Sequence, residues 1–97
     1  MKRRYTFVGP SGVVECRVDG VPLTLPVFAG VLKHPTVDQL RERLADPVVA
    51  RKYTRDALRR LPWVALRQFP RAWLIECLPH AGLSEGRRHA VEFMLGI

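Results

Sequence analysis

The dipeptide Asp19-Gly20 constrains this sequence most, because it lies between two stretches in which apolar residues alternate with others. A two-residue type I′ turn needs a positive φ at both central positions, and Asp-Gly tolerates that conformation. A hairpin closed there places the apolar residues of both arms on one face, in three opposed pairs: Val18 with Val21, Cys16 with Leu23, and Val14 with Leu25. Glu15 and Thr24 share the other face, so the register is self-consistent.

A second turn is predicted upstream, where four turn-forming residues follow one another from Gly9 to Gly12. Pairing across it adds a strand with Phe7 opposite Val14 and Tyr5 opposite Cys16. Pro22 and Pro26 fall at pairs without ladder hydrogen bonds, which is where a residue lacking an N–H is tolerated. Residues 1–30 are therefore predicted to form a three-stranded antiparallel meander with the strand from Val21 to Phe28 at its edge.

Prolines divide the rest of the chain, residues 36–97, into four to five short helices. Thr36 is expected to cap the first helix and Asp46, followed by Pro47, the second, which runs to about Leu61. Short helical segments are predicted at 63–69 and 71–78, and a last helix begins after Ser84. With 97 residues the chain suffices for one core, so we predict a single α+β domain in which the helices cover one face of the meander.

The net charge of +7, from 16 basic and 9 acidic residues, favours an acidic or polyanionic partner. The most regular basic feature lies on the second helix. Arg51, Arg55 and Arg59 recur at i, i+4 and i+8, here called the arginine row, with Lys52 and Arg60 beside them. These five residues are the candidate site for nucleic-acid phosphates or an acidic partner. An ordinary solvated helix face, in a chain whose arginine content reflects a GC-rich coding sequence, is the alternative.

The second candidate site is a stretch with an excess of apolar residues. Trp63, Phe69 and Trp73 stand in a stretch, residues 63–78, that is apolar almost all round its helices, and such a helix must be covered on more than one side. These three aromatics are the predicted protein interface, with burial in the chain's own core as the alternative.

Signatures of chemistry are sparse. The three histidines are far apart in sequence and form no metal-ligand spacing, so no metal and no cofactor is expected. Cys16 and Cys77 fit buried thiols of a reducing compartment, with a disulfide as the alternative. Ser84 is explained as a helix cap and Ser11 as a turn residue, which leaves no activated nucleophile in view. We predict that the protein is not an enzyme.

The leading hypothesis is an interaction or structural subunit, a small adaptor or accessory protein in a larger assembly, such as a viral particle or nucleoprotein complex. Its partner is another protein or further copies of itself. The alternative is a free-standing nucleic-acid-binding protein that contacts phosphates through the arginine row without reading bases. Neither a signal peptide nor a membrane span is recognisable, so a cytoplasmic location, or one within a particle assembled inside the cell, is expected.

Overall fold

A β-hairpin followed by five helices makes up the part of the chain that the structure, a computed structural model, describes: residues 10, 12–28 and 37–97. The strands are β1 (Gly12–Val18) and β2 (Val21–Val27). The helices are α1 (Val37–Leu44), α2 (Pro47–Arg60), α3 (Trp63–Leu66), α4 (Arg71–Cys77) and α5 (Glu85–Leu95), and a 3₁₀ turn over Leu78–His80 follows α4. The class is α+β, as predicted.

The hairpin has the predicted register. Asp19 and Gly20 have φ values of 54° and 80°, the positive values that a type I′ turn requires. All three predicted apolar pairs are opposed across the strands. Val14, Cys16, Val18 and Leu25 are buried, and Leu23 packs partly buried against the core. Val21, beside the turn, is 57% exposed, whereas its partner Val18 is buried. The core therefore covers β1 but not β2 at this end of the hairpin.

The sheet of the described residues has two strands, which corrects the predicted three-stranded meander. The predicted additional strand, with Tyr5 and Phe7, lies outside the described residues, as does the predicted cap Thr36. Along β2, Pro22 and Pro26 stand opposite Arg17 and Val13, the positions predicted for them.

Tyr53 of α2 closes the end of this strand with its hydroxyl group. The hydroxyl accepts a hydrogen bond from the Phe28 N–H and donates one to the Pro26 carbonyl, both at 2.7 Å. The tyrosine thus stands where a neighbouring strand would provide partners. Burial raises the pKa of Tyr53 to about 12, because the charged phenolate is disfavoured away from water.

Helix boundaries follow local signals in the sequence. Asp46 caps α2 by accepting from the Val48 N–H at 2.9 Å, and Pro47 is in the first turn. Ser84 caps α5 by accepting from the Arg87 N–H, and Gly96 ends that helix in the left-handed conformation. Pro62 and Pro70 precede α3 and α4.

One hydrophobic cluster joins the hairpin to all five helices. Its largest fully buried side chains include Tyr53, Leu40, Leu58 and Leu74. Cys16 and Cys77 are both buried and free, as predicted. Burial raises the pKa of Cys16, and it raises that of Cys77 to about 11, with the Glu76 carboxylate adding to the effect. Neither thiol is therefore an activated nucleophile.

Candidate functional site

The arginine row lies on the side of α2 away from its buried residues. Two of its three arginines already form contacts within the chain. Arg51 forms ion pairs with Asp19 of the hairpin turn and, at 3.4 Å, with Glu76 of α4. Its guanidinium also lies over the Trp73 ring, 5.3 Å from the ring centroid. Its side chain is 28% exposed, and the hydrogen bond to Asp19 raises its pKa. Arg51 therefore joins the hairpin, α2 and α4.

Arg59, in the last turn of α2, also joins this helix to neighbouring segments. It pairs with Asp56, whose side chain is almost fully buried, and donates to the Ala81 carbonyl at 3.0 Å. The second bond fixes the turn that follows the 3₁₀ segment. Two members of the row, Arg51 and Arg59, thus hold α2 against α4 and the segment after it.

The other three predicted cations differ in exposure. Arg55 is half-buried near Cys77, whose pKa its charge acts to lower, and Lys52 and Arg60 are exposed. Among the described residues, neither Lys52 nor Arg55 forms an ion pair with a carboxylate. The free positive charge of this face is therefore centred on Lys52 and Arg55 rather than on the whole row.

The three aromatic residues predicted as an interface occupy different environments. Phe69 lies in the core, where its ring stacks with those of Phe28 and Tyr53 at centroid distances of 6.2 and 5.8 Å. Trp73 is also buried, and its Nε1–H donates to the Thr54 hydroxyl at 2.5 Å. These two rings are covered by the chain itself, so only Trp63 remains on the surface.

Trp63 is 39% exposed at the start of α3, and its ring is covered on one side by Arg87 of α5, whose guanidinium carbon lies 4.8 Å from the ring centroid. Arg87 also donates to the Leu58 carbonyl at 2.7 Å and to the Leu61 carbonyl at 2.6 Å. Partial burial lowers the pKa of Arg87. The exposed tryptophan is therefore held in place beside α5, with Val64 exposed next to it.

A further apolar surface lies on α5 and was missed in the sequence analysis. Phe93 is 87% exposed, the most exposed large apolar side chain among the described residues, and Ile97 beyond the helix is 58% exposed. Gly86, Ala90 and Phe93 follow one another at intervals of four and three residues, which is the spacing of one helix face. This repeat was the signal available in the sequence. Ile97 follows the left-handed Gly96 and so lies just past the helix. These three helical residues, together with Ile97, are called here the outer face of α5.

Two depressions adjoin the hairpin, with volumes of about 470 and 210 Å³. The larger is lined by Cys16, whose thiol is kept protonated, with Glu15 and Arg17. The smaller contains Asp19 and Glu76, but both carboxylates pair with Arg51. Neither lining combines an activated nucleophile with a general base.

Among the described residues, no three His, Cys, Asp or Glu side chains are grouped so as to hold a metal ion. None of the helices in this part of the chain is long and apolar enough to cross a membrane.

Comparison with known proteins gives no relative. The sequence matches no protein-family model, and neither a curated protein nor a solved structure is significantly similar to it. The chemistry of the surfaces described above is therefore the basis for a functional proposal.

Proposed function

We propose that this protein is a non-enzymatic interaction subunit that binds a protein partner through the apolar surface formed by α3 and α5. The observation that carries the proposal is the solvent exposure of Phe93, which is 87% exposed on a helix capped at both ends. Aromatic residues of this kind are enriched at the centres of protein interfaces. Trp63 at the start of α3 and Ile97 just past the end of α5 add further exposed apolar area.

The pairing of Arg87 with Trp63 supports the same proposal. A ring packed against a guanidinium loses little conformational freedom when a partner covers its other side, and this reduces the entropic cost of binding. The assembly in question is proposed to form inside the cell, and one that contains nucleic acid, such as a viral particle or nucleoprotein complex, fits the +7 charge.

The experiment is a native mass measurement on complexes recovered from the protein's own host. The wild-type chain should migrate in a complex heavier than its own 11.1 kDa, and Phe93→Glu should release it. Arg43→Glu, an exposed change on α1, is the control and should leave the complex intact. A wild-type chain that runs as a monomer in the native extract, or a complex that tolerates Phe93→Glu, would contradict the proposal.

A second candidate function rests on Lys52 and Arg55, the cations of α2 that form no ion pair with a carboxylate among the described residues. We propose as an alternative that this face holds nucleic-acid phosphates without reading sequence. Each phosphate that is neutralised on duplex DNA contributes about −0.9 to the log–log slope of affinity against salt.

Arg55→Ala should then reduce the magnitude of this slope by about one unit and weaken binding to all sequences alike. Arg67→Ala, an exposed arginine beyond α3, serves as the control. An unchanged slope in the Arg55 variant would remove the nucleic-acid alternative and leave the interaction subunit standing.

A further inference from the structure

The outer face of α5 has a property beyond its exposure, which is the order of its side-chain sizes. The two residues nearer the start of the helix, Gly86 and Ala90, are the smallest available, and the two further on, Phe93 and Ile97, are large. A side-chain carbon placed on Gly86 would meet no atom within 4 Å, so the space over this end is open. The face is thus shallow at one end and raised at the other.

The fold does not need this face for its own packing. Val91 and Leu95, on the opposite side of α5, are buried in the core. Arg71 of α4 holds the end of the helix by donating twice to the Leu95 carbonyl, at 3.0 and 2.8 Å. The helix is therefore fixed in position while its outer face remains uncovered.

We propose that a second copy of this chain covers this face, with the two α5 helices packed antiparallel about a two-fold axis. This inference rests on the proposed interaction function and names its partner. In a two-fold interface the same patch is used by both copies and must be complementary to itself. Antiparallel packing achieves this, because the Phe93 end of one copy meets the Gly86 end of the other. Ala90 then faces Phe93 of the second copy, and the open space over Gly86 lies toward the end of that copy's helix, where its Ile97 follows.

Charge favours α5 over α2 for contact between two copies that each carry +7. Helix α5 contains two glutamates, Glu85 and Glu92, and two arginines, Arg87 and Arg88, so these formal charges cancel. Helix α2 has five basic residues and a single acidic one, Asp56. Repulsion between copies is therefore weaker at α5 than at α2.

The size of the contact sets the expected strength. Eleven helical residues extend about 16 Å, and a helix is about 10 Å wide. One face of α5 therefore covers about 160 Å², which is well below the roughly 800 Å² that each partner contributes to a standard stable interface. Trp63, which is held beside α5 by Arg87, adds exposed apolar area near this helix. We infer a weak, reversible dimer whose population depends on protein concentration.

The first test is sedimentation of the purified chain over a range of concentrations. The wild type should shift from monomer to dimer, and Phe93→Glu should weaken the dimer about 30-fold or more, as expected when an aromatic anchor of an interface is lost. Val48→Glu is the matched control, because Val48 is an exposed apolar residue on α2. It should leave the dissociation constant unchanged. A wild-type chain that stays monomeric, or equal weakening by both variants, would overturn the inference.

A size exchange tests the antiparallel geometry. Ala90→Phe places two large residues in contact in its own dimer, and Phe93→Ala leaves two small ones, so each variant alone should dimerise poorly. Mixed together they should form a heterodimer, because each large residue then meets a small one. Gly86→Phe mixed with Ile97→Ala provides a second exchange pair should Ala90→Phe fail to fold. Folded variants that show no rescue in either mixture would contradict antiparallel packing.

The two proposals fail separately. A monomeric wild-type chain whose complex in the host is nevertheless lost with Phe93→Glu would remove the dimer and keep the interaction surface. A complex that is insensitive to Phe93→Glu would remove the interaction surface itself.

Discussion

Helices α2 and α5 each present a regular row of side chains away from the core, yet the fold uses the two rows very differently. On α2, Arg51 and Arg59 are engaged with acidic side chains and a backbone carbonyl of neighbouring segments. On α5, Phe93 is exposed to water, as is Ile97 just past the helix. A regular row of side chains is thus available to a partner only where the rest of the chain has left it uncovered.

The contrast also applies within α5. Its inner side carries Arg87, which reaches the end of α2, whereas its outer face is uncovered. Substitutions on tethered and untethered sides should therefore separate effects on stability from effects on association.

Arg87→Ala should have the largest effect, lowering the free energy of unfolding by about 2–4 kcal/mol. It removes charged hydrogen bonds to the carbonyls of Leu58 and Leu61 and the contact with Trp63, and such bonds contribute about 1.5–3 kcal/mol each. Arg88→Ala, at the exposed neighbouring position, should stay within about 0.5 kcal/mol of wild type. Urea denaturation of both variants makes the measurement. Equal stability of the two would show that Arg87 does not tether α5 to α2.

Alkaline pH should test the buried side of α2 through Tyr53. Its pKa rises from 10.0 to about 12 on folding, so the folded state holds the proton more tightly than the unfolded state. The resulting stability is fully present below pH 10 and is lost as the pH rises toward 12. Two pKa units correspond to about 2.7 kcal/mol at most. Tyr53→Phe should lose this part of the pH dependence, and an unchanged profile in the variant would contradict the assignment.

Arg59→Ala should lower the free energy of unfolding by about 1–2 kcal/mol, because it leaves the buried Asp56 carboxylate without its partner. Lys52→Ala, on the same face of α2, should change it by less than about 0.5 kcal/mol. Thermal unfolding of the two variants gives the comparison. A Lys52 variant as unstable as the Arg59 variant would mean that Lys52 also stabilises the folded chain.

Much of this architecture can be predicted from the sequence where the determinants are local. The hairpin register follows from Asp19-Gly20, and the starts of α2 and α5 follow from Asp46-Pro47 and Ser84, since each turn or cap is specified by neighbouring residues. The class of fold follows from the order of these elements. The predicted additional strand lies outside the described residues, and the sheet of the described residues has two strands.

The roles of the candidate site residues could not be predicted, because they depend on contacts distant in sequence. Arg51 meets Asp19 and Glu76, which are 32 and 25 positions away. The indole N–H of Trp73 likewise donates to the hydroxyl of Thr54, 19 positions earlier. Helical spacing shows that arginines share a face, but not which acidic groups the fold brings to them. The outer face of α5 was detectable from spacing alone, yet it lacks charge and was overlooked.

Phe93→Ser should have the smallest effect on stability, within about 0.5 kcal/mol of wild type, because the side chain contributes little to the core. This result would establish that the exposed ring is not retained for folding. A clear loss of stability in dilute solution would instead indicate that Phe93 packs against the chain itself.

The most direct test of the account is an NMR dilution series of the ¹⁵N-labelled chain, followed at every backbone amide. We expect concentration-dependent shifts at Gly86, Ala90, Phe93 and Ile97, with the amides of Lys52 and Arg55 unchanged. The same series on the Phe93→Ser variant should show no such shifts. Shifts centred on α2, or none at any concentration, would contradict the claim that a second copy of this chain covers the outer face of α5.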